Sequence, residues 1–128
     1  MPLVRIDLLE GKPDAYLATL GDVVYDAMRS TLNVPQDDRF QIFSTHASGT
    51  LHIDRSYMDI ERSDDCVIIQ VTLSRGRSTE LKKAFYRAVA DGLHARLGIR
   101  TEDVFINLVE VDKENWSFGN GDAQYADK

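Results

Sequence analysis

Two stretches of this chain can be laid over one another residue by residue. Leu32-Asn33-Val34-Pro35-Gln36-Asp37-Asp38-Arg39-Phe40 and Leu97-Gly98-Ile99-Arg100-Thr101-Glu102-Asp103-Val104-Phe105 follow one pattern. Each reads leucine, turn residue, aliphatic, three mostly polar residues, aspartate, one variable position, phenylalanine. An internal repeat restricts the possible folds more than composition does. What flanks the stretches repeats too. Leu3 to Leu9 alternates apolar and polar as a half-buried strand does. Gly11-Lys12-Pro13-Asp14 is a turn that starts a helix, on which Leu17, Leu20, Val24, Ala27, Met28 and Leu32 recur at helical spacing. Asn33 and Pro35 stop it, and Arg39 to Thr45 reads as a second strand with Phe40, Ile42 and Ser44 on one face.

The second copy runs in the same order. Cys66 to Leu73 is an almost unbroken apolar, β-branched run, as in a strand covered on both faces. Ser78 is an N-cap, Leu81, Phe85, Val89, Leu93 and Leu97 keep helical spacing, and Gly98 ends the helix. Val104 to Val111 alternates as a last strand. The expected fold is therefore α/β, an α+β two-layer sandwich over residues 1–128, with pseudo-repeats about 1–62 and 63–128. Each β-α-β unit has room for a right-handed crossover between parallel strands. Four main strands with two helices on one face leave the other face open, which points to burial in a homo-oligomer. Residues 46–65 lack periodicity and read as a long loop. After Trp116-Ser117-Phe118, Gly119-Asn120-Gly121 suggests a small C-terminal hairpin with Ala123-Gln124-Tyr125.

The formal charge of −6 argues against nucleic acid as a partner, which requires a cationic face. The single cysteine, Cys66, rules out a disulfide within one chain and reads as a small buried hydrophobe. Charges at Arg5, Asp7 and Glu10 interrupt any secretory signal, and no apolar run is long enough to span a membrane. A cytoplasmic location is the expectation.

Reactive groups are few. Pro2 stands behind Met1, and methionine is usually trimmed before a small residue. Trimming exposes a secondary amine, and α-amino groups titrate at about 7.7–8.0 in model peptides. The plain alternative is a stiff first residue with no role. Arg75-Gly76-Arg77 leaves the end of the most apolar strand, where two guanidiniums can converge on a small carboxylate. The alternative is a pair of solvated loop charges. Asp38 is either an acid–base group or a turn residue, and its repeat-mate Asp103 favours a structural reason common to both. Trp116 and Phe118 either wall a pocket or pack under the tail, as does Tyr125. His46, His52 and His94 are too scattered for a metal motif, no phosphate loop is present, and no Gly-x-Ser-x-Gly elbow occurs. If the chain is an enzyme, the amine of Pro2 leads by elimination.

These residues resemble the tautomerase superfamily, and within it the malonate semialdehyde decarboxylase family. The resemblance rests on Pro2-Leu3-Val4-Arg5-Ile6-Asp7-Leu8, Asp38-Arg39-Phe40-Gln41-Ile42, Ser74-Arg75-Gly76-Arg77 and Asn115-Trp116-Ser117-Phe118-Gly119. It implies a homotrimer and a cofactor-free, metal-free decarboxylase acting on small oxo acids, with keto–enol tautomerase activity alongside. In that reading Pro2 is the catalytic amine, and Arg75 and Arg77 hold the substrate carboxylate or polarise its carbonyl. Asp38 assists the amine and orients water, and Trp116 and Phe118 form the apolar wall. The alternatives are a phenylpyruvate-type tautomerase, a 3-haloacrylate hydratase or dehalogenase, and a non-catalytic trimeric binding protein. A tautomerase requires Pro2 neutral and a decarboxylase requires it cationic. Nearby arginines and apolar walls favour the first, and a nearby aspartate the second. All of these amine roles require Met1 to be removed.

Overall fold

A computed structural model describes residues 2–127. Met1, on whose removal the amine chemistry depends, lies outside the described residues. The elements are β1 (Leu3–Leu9), α1 (Asp14–Thr31), β2 (Gln41–His46), β3 (Val67–Ser74), α2 (Thr79–Leu97) and β4 (Val104–Val111). Short 3-10 turns occupy Tyr57–Asp59, Thr101–Asp103 and Lys113–Asn115. The sheet order is β2-β1-β3-β4. Strands β1 and β2 are parallel, β3 and β4 are parallel, and the two units meet through antiparallel β1 and β3.

The repeat holds at a constant offset of 65 positions. Arg5 pairs with Gln70, its own repeat-mate, so a pseudo-twofold axis passes between them. The turns leaving β1 and β3 both contain a glycine at positive φ, Gly11 at 114° and Gly76 at 125°. Asn33 at 56° and Gly98 at 69° end the two helices in the left-handed conformation. Glu10 N–H donates to His46 O at 2.8 Å, and its mate Arg75 N–H donates to Val111 O at 3.0 Å.

Both helices lie on one face of the sheet. Val4, Ile6 and Leu8 of β1 and Ile69, Val71 and Leu73 of β3 are buried beneath them. Leu20, Val24 and Met28 of α1 and their mates Phe85, Val89 and Leu93 of α2 close that core. The helices approach closely at Gly92, where a β-carbon would stand 2.7 Å from Val23 Cγ1. Ser78 caps α2, its Oγ accepting from Leu81 N–H at 3.2 Å. The opposite face of the sheet keeps Ile42, Phe105 and Val109 exposed. No described helix is long and apolar enough to cross a membrane.

Two expectations change in detail. Strand β2 begins at Gln41 rather than Arg39, because Arg39 reaches back to Asp22 at 2.8 Å and packs over the Tyr25 ring. The tail forms no hairpin: the described residues after Asn115 contain no strand. Gly119, Asn120 and Gly121 all have positive φ, which coils the chain. The Gln124 side chain then supplies the bonds a partner strand would make. It accepts from Phe118 N–H at 3.0 Å and donates to Gly119 O at 2.9 Å.

Candidate active site

The antiparallel centre of the sheet decides where Pro2 lies. Leu3 pairs with Thr72, so the residue before β1 sits beside the end of β3. Strand β4 runs parallel to β3, so the segment following β4 reaches the same edge. Parallel β2 brings Phe40 there as well, with Val4 N–H donating to Phe40 O at 2.9 Å. The result is a cavity of about 210 Å³ lined by Pro2, Leu3, Phe40, Trp116, Ser117 and Phe118. Pro2 is buried. Pro2 and the distant pair Trp116 and Phe118, all singled out above, thus share one space.

The aromatic wall is fixed in place. Trp116 Nε1–H donates to Ser74 Oγ at 3.0 Å. The Trp116 and Phe118 rings stack with centroids 5.5 Å apart, and Tyr125 meets Phe118 edge-on at 4.8 Å. Tyr125 therefore backs the wall rather than lining the cavity.

The two arginines diverge. Arg77 turns inward and is half-buried. Its Nε and Nη2 donate to Leu32 O at 3.3 and 3.1 Å, and its Nη1 to Ser74 O at 3.0 Å. A cation at the carboxyl end of α1 is favourably placed against the helix dipole. Three of five N–H groups are thereby used, leaving one on each terminal nitrogen. Ser74 consequently holds Arg77 through its carbonyl and Trp116 through its hydroxyl. Arg75 instead points to the surface, its Nε donating to Asp112 at 2.6 Å with both side chains more than half exposed. Neither arginine is among the residues that line the cavity, nor is Asp38.

Asp38 and Asp103 occupy equivalent positions and differ completely. Asp103 is buried and accepts from both Ser63 N–H at 2.7 Å and Ser63 Oγ–H at 2.6 Å. It pins the loop to the 3-10 turn and is structural. Asp38 is half-buried, and burial pushes its carboxyl above the usual aspartate range against the pull of the amino-terminal charge and Arg77. Asp38 and Arg77 therefore interact electrostatically.

The histidines serve elsewhere: His46 bonds Asp7 at 2.7 Å, His52 bonds Gly49 O and His94 bonds Ile99 O. Among the described residues no group of three or more His, Cys, Asp or Glu is placed to hold a metal. The sequence reading did not single out Ser74, Leu3 or Ser117, and took Phe40 only as a strand residue. One signal for Phe40 was available, since a phenylalanine recurs at the same place in each unit. For Ser74 there was only its polar character at the end of an apolar run.

Comparison with known proteins identifies the family to which the chain belongs. A protein-family model described as a tautomerase enzyme matches residues 38–119, and a second with the same description matches residues 2–55. A probable tautomerase of Bacillus subtilis (strain 168), YusQ, is 42% identical over 124 residues, spanning 97% of this chain and 98% of the relative. Crystal structures of malonate semialdehyde decarboxylase, described as a basis for decarboxylase and hydratase activities, superpose with a TM-score of 0.90 at 35% identity. That match covers 96% of this chain and 95% of the other. A further malonate semialdehyde decarboxylase, inhibited by 3-bromopropiolate, gives 0.89 at 36% identity over 96% and 93% of the two chains.

Proposed function

Because this chain is an enzyme of the tautomerase superfamily, we propose that Pro2, once it is the amino-terminal residue, is the acid–base group for reactions of small oxo acids in the cavity. The observation that carries this reading is the burial of Pro2 in an apolar cavity walled by Phe40, Trp116 and Phe118. Decarboxylation of a 3-oxo acid such as malonate semialdehyde is the leading reaction. The relatives described as malonate semialdehyde decarboxylases support it, as does inhibition of one of them by a three-carbon acid.

In this mechanism the two N–H groups left on Arg77 receive the substrate carboxylate. Arg75, paired with Asp112 at the surface, supplies a second donor to the carboxylate when that ion pair opens. The ammonium of Pro2 donates a hydrogen bond to the aldehyde oxygen. Cleavage of the carbon–carbon bond releases carbon dioxide, and its electron pair flows through the new carbon–carbon double bond onto that oxygen. The Pro2 ammonium then delivers its proton to the enolate carbon, giving acetaldehyde, and the amine regains a proton from water. Asp38, when ionised, favours the cationic form of Pro2 that this step requires. A Schiff base between Pro2 and the aldehyde serves the same electronic purpose. The walls of Trp116, Phe118 and Phe40 favour a second activity, keto–enol interconversion of an aryl pyruvate, in which neutral Pro2 removes a proton from carbon.

Ile42 and Val109, exposed on the open face of the sheet, support assembly as a homotrimer, which light scattering will measure. The catalytic reading is tested with Met1-free protein on malonate semialdehyde, phenylpyruvate and 3-chloroacrylate. General acid–base groups contribute about 10²–10⁴-fold, so Pro2→Ala should lower turnover by about 100-fold or more with the fold intact. Turnover within threefold of the parent removes Pro2 from the mechanism.

A further inference from the structure

The cavity at Pro2 has a counterpart generated by the pseudo-twofold axis. A second cavity, of about 230 Å³, opens beside the long loop at the other end of the sheet. Its lining includes Ile68, Phe105, His52 and Ile53. At the 65-residue offset these are the mates of Leu3, Phe40, Ser117 and Phe118, four of the six residues that line the first cavity. The correspondence comes from two separately formed spaces, not from sequence alone. Cys66 also lines the second cavity, and Val67 stands where Pro2 stands in the first. Both are internal to the chain, so the nitrogen at that point is a peptide nitrogen without basicity.

The polar groups of the second cavity are Arg62, Asp54, His52 and the Tyr57 hydroxyl. Arg62 commits one nitrogen to its own loop: Nη1 donates to the carbonyls of Asp54, Tyr57 and Ile60 at 3.3, 3.0 and 3.2 Å. Its Nε and Nη2 edge, the geometry that grips a carboxylate bidentately, has no acceptor among the described residues. Asp54 contributes the opposing charge, but one of its oxygens is occupied by the N–H groups of Ser56 and Tyr57 at 3.0 and 2.8 Å. His52 Nε2 is bonded to Gly49 O at 3.0 Å. The walls are otherwise aliphatic and aromatic. The volume is below the roughly 300–1,000 Å³ typical of drug-sized sites and suits a molecule of about ten heavy atoms.

We propose that this cavity is a second, non-catalytic binding site for a small carboxylic acid with an apolar body, held with its carboxylate on Arg62 and its body against Ile53, Ile68 and Phe105. The choice of acid follows from the Arg62 edge. That it is the same class as the substrate rests on the functional reading above. The site binds without turnover because Cys66 and Val67 replace a chain start.

The test uses full-length, Met1-free protein labelled at isoleucine methyl groups and at the Trp116 indole, titrated with phenylacetate as an unreactive probe. Saturable shifts at Ile53 and Ile68 are expected, with a binding curve of their own. Benzyl alcohol, which keeps the ring and lacks the carboxylate, should bind there at least tenfold more weakly, and Arg62→Gln should weaken phenylacetate by about tenfold. Ile53→Trp, which fills the space, should abolish the shifts at Ile68 and leave turnover within twofold. Unmoved Ile53 and Ile68 overturn the second site, whether or not Trp116 responds. Equal binding of benzyl alcohol, or no loss in Arg62→Gln, overturns the carboxylate assignment. Movement at the isoleucines with none at Trp116 supports the second site and counts against the reading of the first cavity, so the two can fail separately.

Discussion

The two ends of the sheet are built from the same backbone and have been put to opposite uses. At one end Asp38 is half-buried beside Arg77, and Pro2 lies in an aromatic cavity. At the other end Asp103 is closed off by Ser63, and Lys12, the mate of Arg77, is paired with Asp65 at 2.8 Å. The difference is made by the long loop. Residues 63–65 precede β3 and supply the partners of Asp103 and Lys12. Duplication thus reproduces the frame of a pocket, while the loop before β3 sets what the second copy's aspartate meets.

The comparison breaks most visibly at the aspartates. Asp103→Ala leaves Ser63 N–H without its charged acceptor and should cost about 2–4 kcal/mol in urea unfolding, since hydrogen bonds to charged groups contribute about 1.5–3 kcal/mol each and are only partly additive. Asp38→Ala should cost far less, and an equal loss would mean the two ends are equivalent after all. The arginines give the next effect. Arg77→Gln removes three bonds to backbone carbonyls and should destabilise by about 1–3 kcal/mol, with a rise in KM for an acid substrate. Arg75→Gln loses one exposed, solvent-screened ion pair, so its thermal midpoint should barely move. The smallest effect is a pH dependence. Burial raises the carboxyl of Asp38, so the folded state holds its proton more tightly than the unfolded chain does. This contribution to stability is greatest below the ordinary aspartate range and declines as pH rises through the folded value. Asp38→Asn should therefore raise the melting temperature at pH 7 and lose that advantage near pH 3. A variant equally stabilised at both pH values would show that charge burial is not the cause.

The units and their strand directions were readable because each unit carries local signals: alternation, helical spacing and a left-handed stop at Asn33 or Gly98. The pairing of the units was not, since nothing local specifies that β1 lies antiparallel to β3. That long-range pairing is what brings Pro2 to Ser74 and the tail. Trp116 and Phe118 could be nominated as aromatics near a turn, but the Ser74 hydroxyl that orients Trp116 became visible only in three dimensions. The Arg-Gly-Arg spacing suggested convergence, whereas Gly76 at a φ of 125° sends the flanking side chains to different partners. The tail looked like a hairpin because a glycine-rich turn is a good hairpin signal, and only the Gln124 clasp shows why no strands are needed.

The pairing of Arg5 with its own counterpart Gln70 has a consequence for assembly. The central ladder is nearly self-complementary, so this chain is in effect a tethered dimer of two half-proteins. The tether sets the effective concentration at which the halves meet, on the order of millimolar for a short flexible connection. Cutting within the exposed stretch from Ala47 to Thr50 would leave the central ladder in place but turn a concentration-independent folding equilibrium into a bimolecular one. The midpoint of unfolding would then fall on dilution, and the halves would be free to exchange partners.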